Sequence, residues 1–238
     1  MYKCIVFGGN GNIGRTVIDN LLKSDKYNKI TVFSRKKLKS WDELEEKQKN
    51  KINYINIQSF DFLNTDNYLE TVKQYLNNEI DYNTIFCCLG GKDDSEYENI
   101  DYKLSIKIST LCEELNIAHF SVISAENSNS NSDDKFLKFR GKMGEELLKK
   151  NIKCISIFKT DKIINKEDPP FLYCFISFFY RCYDNSIECQ KLGKAMVVND
   201  LDICEQLTTL SKNGEEDKIE KMRYFTNNDI KRLSLKKI

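Results

Sequence analysis

Proline, histidine and long apolar runs are scarce in this sequence. Its 238 residues include two prolines and one histidine. With His119 as the only imidazole and no Cys-x-x-Cys pair among nine cysteines, the usual ligands of a structural zinc site are missing. The apolar, aromatic stretch from Phe171 to Tyr183 has about a dozen residues, whereas a membrane-spanning helix needs about 20. We therefore expect neither a metal site nor a transmembrane segment.

An excess of charge of one sign is also absent. The chain has 37 basic and 36 acidic residues, which give a formal net charge of +1 at pH 7. This balance produces no global field that would attract nucleic acid or an anionic membrane surface. The charge pattern therefore argues against both of these partner classes.

The nine cysteines are spread along the chain rather than grouped. Several lie in apolar, strand-like runs, among them Cys4, Cys154 and the adjacent pair Cys87 and Cys88. Free thiols in such runs are typical of buried packing residues. The N-terminus opens directly into a strand-like run, without an apolar signal segment or an arginine-rich leader. We therefore expect buried thiols and a reducing, cytoplasmic compartment.

Strand-like runs and helical patterns alternate over the first 165 residues. This alternation predicts right-handed crossovers and a parallel sheet covered on both faces, which is a doubly wound, Rossmann-like α/β fold. The predicted strands are Tyr2–Phe7, Lys29–Phe33, Ile52–Ile57, Thr84–Leu89, His119–Ser124 and Lys153–Phe158. The predicted helices span 13–24, 65–78, 97–116 and 135–150, with a weaker charged segment near 41–50. Ser128–Asp134 is predicted as a polar loop with no reason to pack.

The length suits a single domain. We predict a cofactor-binding core at 1–165 and a small C-terminal region for a substrate or a partner at 166–238. Pro169 and Pro170 fit the start of a helix over Phe171 to Tyr183, which would be a lid or core helix or a partner surface. Further along, the pattern predicts a seventh strand at Ala195–Val198, a helix at Leu201–Ser211 and a last short strand at Met222–Thr226.

The sequence FGGNGNIGR, residues 7–15, follows the first predicted strand directly. Gly8 allows a tight turn, Gly11 lets a pyrophosphate approach the backbone, and Gly14 lets the helix pack closely. Exposed amides at Asn12 and Ile13, at the positive end of the following helix, favour an anion. The spacing therefore predicts a dinucleotide site. The alternative is a glycine-rich turn that only closes a βα unit.

The turn after the second strand indicates which dinucleotide is bound. An NAD-preferring protein usually has an acidic residue there, whereas this chain has Ser34, Arg35 and Lys36. The guanidinium of Arg35 can donate two hydrogen bonds to a 2′-phosphate, and Arg15 is a second candidate cation. We therefore predict NADP(H) as the cofactor. The alternative is an ordinary solvated basic turn.

Residues after the third and fourth strands complete the predicted cofactor site. In an open parallel sheet, ligands bind at the carboxyl ends of the strands. Asp61 follows the third strand and is predicted to meet the adenine edge, unless it is a simple turn aspartate. Leu89 and Gly90 follow the fourth strand.

The motifs together resemble a known family. FGGNGNIGR, ITVFSRKKL, IFCCLGG, HFSVIS and FLKFRGKMGEE occur in this order over about residues 2–165. They resemble the atypical short-chain dehydrogenase/reductases of the Tat-interacting oxidoreductase family. The resemblance implies a Rossmann fold, bound NADP(H) and a small carbonyl substrate held by the C-terminal part. It also implies that some relatives act by binding regulatory or nuclear-transport proteins.

The resemblance further implies a catalytic set made of a serine after the fifth strand and a Tyr-x-x-x-Lys helix. Ser124 matches the serine and Lys142 matches the lysine, which would also hold the nicotinamide ribose. Lys138 occupies the tyrosine position, so the hydroxyl that exchanges a proton with the substrate oxygen is missing. Relatives carry an Arg-Pro-Gly turn after the sixth strand, where this chain has Lys159, Thr160 and Asp161.

These departures predict weakened or absent keto-reductase activity, with two alternatives left open. In the first, the chain is an active oxidoreductase in which Lys138 or Tyr102 supplies the proton. In the second, it is an adaptor in which the nucleotide stabilises the fold and Phe171 to Tyr183 meets another protein.

Overall fold

A computed structural model describes residues 1–165 and 186–238. The predicted helix over Phe171 to Tyr183, and its start at Pro169 and Pro170, lie outside the described residues. Seven parallel strands form one sheet in the described part of the chain. They are β1 (Tyr2–Phe7), β2 (Tyr27–Ser34), β3 (Ile52–Asn56), β4 (Thr84–Cys87), β5 (His119–Ala125), β6 (Cys154–Thr160) and β9 (Met222–Phe225), and a small two-stranded sheet pairs β7 (Ile163–Ile164) with β8 (Ile187–Glu188).

The order of the strands in the main sheet is β3-β2-β1-β4-β5-β6-β9. All neighbouring strands are parallel, with β1 paired to β2 on one side and to β4 on the other. The chain therefore reverses direction across the sheet between β1 and β4, and such a switch point opens a crevice at the carboxyl ends of the strands. The predicted Rossmann-like α/β fold is confirmed.

Helices cover both faces of this sheet. The described helices are α1 (Asn12–Lys23), α2 (Glu46–Lys49), α3 (Tyr68–Tyr75), α4 (Asp94–Glu96), α5 (Ser105–Glu114), α6 (Lys135–Leu148), the long helix Cys189–Asn213 and the C-terminal helix Asn227–Leu233. A π-helix spans Tyr97–Leu104, and 3-10 helices span Lys39–Glu43, Asp61–Asn64 and Glu216–Lys218. None of the helices in the described ranges combines the length and apolarity needed to cross a bilayer.

Two apolar clusters form the core, one on each face of the sheet. On one face, α1 buries Val17, Ile18 and Leu21 beside Met196 of the long helix. On the other face, α3, α5 and α6 bury apolar residues against β4, β5 and β6. The central strand β4 is buried along its whole length, and three of its four residues, Ile85, Phe86 and Cys87, are apolar. Burial on both faces explains why this strand is a nearly continuous apolar run rather than an alternating one.

The strand predicted at Ala195–Val198 is wrong, because these residues lie inside the long helix Cys189–Asn213. A short apolar run with two adjacent valines suits a strand or a buried helix equally. Packing decides between them. The long helix lies against α1 so closely that a side chain at Gly193 would overlap Thr16, and Ala195, Met196 and Val197 are fully buried.

The helix predicted at 97–116 is present, but it is divided into the π-helix Tyr97–Leu104 and the α-helix Ser105–Glu114. A π-helix adds one residue to each turn, and such insertions occur often at functional sites. The wider turns contain Asp101, whose carboxylate is completely buried. Hydrophobic periodicity does not report the width of a helical turn, so the sequence did not predict this division.

A buried polar network lies at the amino end of the sheet. The Asp200 carboxylate of the long helix accepts hydrogen bonds from the Tyr27 hydroxyl and, at 2.5 Å, from the Thr84 hydroxyl. His119 Nδ1 lies 2.6 Å from Asp200, and His119 Nε2 lies 2.9 Å from the Ser156 hydroxyl. The single histidine therefore has two protein partners and joins the long helix to the sheet.

Candidate functional site

The loop between β1 and α1 lies in the crevice at the switch point. Gly8 has φ +88°, a conformation that side chains other than glycine rarely adopt. A Cβ at Gly8 would lie 2.9 Å from the carbonyl carbon of Cys88, which follows β4. Gly8 therefore makes the tight turn that was predicted for it, and it brings the loop against the end of β4.

Two further glycines allow the loop to fold so tightly. A Cβ at Gly14 would overlap the Gly8 carbonyl, and a Cβ at Gly9 would overlap the Val32 side chain of β2. A Cβ at Gly11 would lie 3.4 Å from the Gly8 carbonyl oxygen, an ordinary contact distance. Packing within the protein therefore does not require glycine at position 11. The surface above Gly11 is open for a ligand.

The N-terminus of α1 has no side-chain cap within residues 1–165 and 186–238. Its N-cap residue is Gly11, and the contacts of these residues include no side-chain hydrogen bond that caps the helix. Gly11 and Asn12 are exposed, and Ile13 is half-buried. Uncapped amides at the positive end of a helix bind phosphate groups well.

Asn10 connects the glycine loop to the basic turn after β2. Its side-chain oxygen accepts a hydrogen bond of 3.2 Å from the Lys36 amide, and its backbone carbonyl accepts one of 3.1 Å from Arg15 Nε. The Ser34 hydroxyl donates to the Lys36 carbonyl at 3.1 Å, which fixes the turn. The structure therefore brings together Arg15, Ser34 and Lys36, and their contact with a nucleotide stays a prediction. Asn10 was not predicted, because its role depends on two segments meeting in space.

The charges in this turn are not equivalent. Lys37 pairs with Asp42 at 2.5 Å. Arg35 is exposed, and no carboxylate within residues 1–165 and 186–238 forms a salt bridge with it. The guanidinium of Arg35 is therefore available to an anionic ligand, whereas the Lys37 ammonium already has a partner.

The remaining predicted cofactor residues lie along the same carboxyl edge of the sheet. Asp61 is exposed and begins the 3-10 helix that follows β3. Leu89 is half-buried beside Gly8. Gly90 lies close to the side chains of Arg140 and Asp101. That these residues contact a nucleotide stays a prediction.

A buried ion pair supports the loop after β4. Arg140 of α6 pairs with Asp101 of the π-helix, and these residues are 5% and 0% exposed. The Asp101 carboxylate also accepts a hydrogen bond of 2.6 Å from the Gly91 amide, and Arg140 donates to the Ile123 carbonyl of β5. One pair therefore joins two helices, the loop Leu89–Gly91 and the end of β5.

This ion pair was missed in the sequence, although one partner had a signal. Arg140 lies on the same helical face as Phe136, Met143 and Leu147, so it interrupts an apolar stripe. A charged residue in such a stripe indicates a buried partner. Asp101 had no comparable signal, because the π-helix changes the periodicity around it.

The three residues implied to be catalytic do not line one cavity together. Ser124, at the end of β5, lines a cavity with Gly141 and Lys159. Lys138 and Lys142 are half-buried on α6, but neither lines that cavity. Lys142 Nζ lies 5.3 Å from the centre of the Phe139 ring. A catalytic role for these residues stays a prediction.

Tyr102, the alternative proton donor, packs beside α6. Its ring stacks on Phe139 with the ring centres 6.2 Å apart. It is also partly buried against the apolar core. No contact in the described part of the chain joins Tyr102 to Ser124.

Part of the loop Ser128–Asp134 packs against α6, which corrects the prediction of a loop with no reason to pack. A Cβ at Gly141 of α6 would overlap the backbone of Asn129 and Ser130. The Asn129 amide also donates to the Leu137 carbonyl at 3.1 Å. Because residue 141 is a glycine, the loop backbone can lie directly against α6. The polarity of the loop sequence does not reveal this contact.

The two adjacent cysteines at the end of β4 are structural. Cys87 and Cys88 are buried. Burial raises the pKa of both thiols, so they stay protonated at neutral pH. Because the thiolate is the reactive form of cysteine, burial and the raised pKa both disfavour reaction of these thiols.

Known proteins share this sequence pattern and this fold. A family model described as NAD(P)H-binding matches residues 8–163. Protein HTATIP2 of Rattus norvegicus is 22% identical to this chain over 182 residues, which are 73% of this chain and 69% of that protein. This similarity agrees with the resemblance to the Tat-interacting oxidoreductases.

Solved structures with low sequence identity have the same architecture. The Bordetella bronchiseptica enzyme WbmH in complex with NAD+ matches with a TM-score of 0.61 at 11% identity, covering 94% of this chain and 86% of that chain. The oxidoreductase ylbE from Lactococcus lactis matches with a TM-score of 0.58 at 12% identity, covering 97% of this chain and 95% of that chain. At these identities the likeness shows the fold alone.

Proposed function

The chain belongs to the NAD(P)H-binding family, and from this we propose that it is an NADP(H)-binding, reductase-like protein with weakened or absent keto-reductase activity. The observation that carries the proposal is the contrast between the two ends of the site. The phosphate end has the glycine loop, and within the described residues its α1 terminus has no side-chain cap and its Arg35 has no salt bridge. The reacting end lacks a tyrosine at position 138.

The preference for NADP(H) is supported by charge. A 2′-phosphate next to the β2 turn would meet Arg35 and Lys36, and Asn10 holds the turn beside the pyrophosphate loop. A charge-assisted hydrogen bond contributes about 1.5–3 kcal/mol, which corresponds to about tenfold or more in affinity. No acidic residue stands at 34–37 to select the ribose hydroxyls of NAD.

The weakened chemistry is supported by the residues at the predicted catalytic positions. A bound nicotinamide would supply or accept a hydride. The protein would then have to move a proton at the substrate oxygen, and Lys138 has no hydroxyl with which to do so. Lys138 is half-buried and does not line the cavity that Ser124 lines.

Restoring the tyrosine tests this proposal. We expect Lys138→Tyr to raise NADPH consumption with benzaldehyde or cyclohexanone by about 100-fold over the native protein, because general acid catalysis contributes at least that factor. Lys138→Phe is the matched control, since it adds an aromatic ring without a hydroxyl, and we expect no gain from it.

The opposite result would identify a working enzyme. If the native protein already turns over these carbonyl compounds as fast as the tyrosine variant, the proposed loss of activity is wrong. In that case Lys138→Ala and Tyr102→Phe would show which side chain supplies the proton.

A further inference from the structure

A cavity of about 300 Å³ lies between α6 and the strands β5, β6 and β9. Cavities of this size are large enough for a small organic molecule. Ser124, Lys159 and Tyr224 come from the three strands, and Gly141 and Gly144 come from α6. A Cβ at Gly144 would meet nothing within 4 Å, so the helix leaves open space on this side.

Ser124 and Lys159 face this cavity from the same level of the sheet. Their Cα atoms are register partners in the parallel pair β5–β6. Side chains alternate between the two faces of a strand. Val122, two residues before Ser124, and Ile157, two residues before Lys159, both belong to the core on the α6 face. A hydroxyl group and an ammonium group are therefore neighbours on one wall.

Within the described residues, Lys159 makes a cation–π contact rather than a salt bridge. Its ammonium lies 5.0 Å from the centre of the Tyr224 ring, and the side chain is half-buried. No carboxylate in the described ranges forms a salt bridge with Lys159. A half-buried cation without an ionic partner attracts an anion more strongly than a fully solvated one, because the local dielectric is lower.

Glu145 limits the charge that a ligand can carry. It also lines the cavity, and its carboxylate accepts a hydrogen bond from the Ser130 hydroxyl. The negative charge of Glu145 repels a ligand with a doubly charged phosphate more than a ligand with a singly charged carboxylate. Leu148 and Ile157 add apolar surface that suits a short hydrocarbon chain.

We propose that this cavity binds a small organic carboxylate that pairs with Lys159 and hydrogen-bonds to Ser124. The proposal goes beyond the function above, because binding of the anion requires neither a nucleotide nor turnover.

The test uses the full chain and three probes in NMR titrations of the amide resonances. Isovalerate carries a carboxylate, isovaleramide is its neutral analogue, and isobutyl phosphate is a dianion of similar size. We expect isovalerate to shift the resonances of Ser124, Gly141 and Gly144. Isovaleramide and isobutyl phosphate are expected to bind at least about tenfold more weakly.

Substitutions at Lys159 distinguish an effect of its charge on binding from an effect on the fold. Lys159→Gln is expected to weaken isovalerate binding by about tenfold, and Lys159→Arg is expected to retain it. Lys153→Gln, just before the same strand and paired with Glu216, is the matched control and should bind as the native chain does. Glu145→Gln should strengthen binding, because it removes a like charge.

Three results would overturn the proposal. They are a titration in which isovalerate shifts no cavity resonance, equal binding by Lys159→Gln and the native chain, and tighter binding of isobutyl phosphate than of isovalerate. NADPH titration of Lys159→Gln gives an independent readout. If Lys159→Gln binds NADPH as tightly as the native chain, a loss of isovalerate binding is due to the cavity and not to the nucleotide site.

Discussion

At the scale of single residues, neighbouring cations in the turn after β2 have different environments. Lys37 is paired with Asp42, whereas Arg35 is exposed and has no salt bridge within the described ranges. The sequence alone shows only that Arg35 and Lys37 are both positively charged. The structure distinguishes them, because only Lys37 has a carboxylate partner within the described ranges. Substituting each residue in turn therefore gives a test variant and a matched control.

We expect Arg35→Ala to weaken NADPH binding by about tenfold and to leave NADH binding unchanged. The reason is that the guanidinium would contact only the 2′-phosphate, which NADH lacks. Lys37→Ala is the control and should change neither affinity. Isothermal titration calorimetry with both nucleotides measures the effect, and an equal loss for NADPH and NADH would contradict it.

Some residue-scale features followed from the sequence and others did not. The turn at Gly8 and the close packing at Gly14 were predicted from spacing, because the glycine pattern directly after a strand constrains the backbone. Gly9 and Asn10 were not predicted as important. Their partners, Val32 and Lys36, lie on β2 and the turn that follows it, so their roles depend on the register of two strands.

At the scale of elements, the Asp101–Arg140 pair holds together the side of the crevice formed by the ends of β4 and β5. It joins the π-helix, α6, the end of β5 and the loop that contains Gly91. Removing one partner of a buried pair leaves an uncompensated charge in the interior. The geometry of the loop after β4 therefore depends on a residue pair remote from it in sequence.

We expect Asp101→Asn to lower the free energy of unfolding by about 3 kcal/mol or more. The change leaves the buried guanidinium of Arg140 without an ionic partner, and urea unfolding at neutral pH measures the effect. Asp94→Asn breaks an exposed pair with Lys135 and serves as the control, with an expected change below about 1 kcal/mol. Equal stability of Asp101→Asn and the native chain would contradict this role.

The elements of the N-terminal part were predicted closely, and those of the C-terminal part less so. β1, β5 and α6 were found within about two residues of the predicted bounds, because long periodic segments flanked by turns are strong signals. The strand prediction for Ala195–Val198 was wrong because the same apolar run suits a buried helix. The division of the chain near residue 165 stays a prediction.

At the scale of the whole molecule, the interior is rich in buried thiols. The seven cysteines that the structure describes are all buried. Burial raises the pKa of Cys4, Cys87 and Cys112 above the ordinary value of 9.0, and it raises the pKa of the Tyr27 hydroxyl in the same way. The folded chain therefore keeps protons that the unfolded chain loses in alkaline solution.

This difference sets the direction of the pH dependence. A group whose pKa is higher in the folded state contributes its full stabilisation below the unfolded pKa and loses it as the pH rises further. We expect the free energy of unfolding to change little between pH 7 and 8.5 from these groups, and to fall as the pH rises above about 9.

Urea unfolding in a series of buffers at constant ionic strength measures this dependence. Cys112→Ala removes one of the thiols, so it should show a shallower fall above pH 9 than the native chain. A free energy of unfolding that stays constant or rises up to pH 10 would contradict the expectation.

The strand order explains why one crevice collects the predicted cofactor residues. The glycine loop follows β1, the basic turn follows β2 and the Leu89–Gly91 loop follows β4. These three strands are neighbours in the sheet. Their common edge was predictable from the alternation of elements. The cavity beside Ser124 was not, because it depends on β9, on Gly144 and on how α6 lies against the sheet.

The most direct test of the central claim is calorimetric titration of the native chain with NADPH and with NADH under identical conditions. The glycine loop, the α1 terminus and Arg35, which has no salt bridge within the described ranges, predict that both bind, with NADPH tighter by about tenfold or more. Equal affinity would contradict the predicted role of Arg35. Absence of binding by either nucleotide would contradict the nucleotide site as a whole.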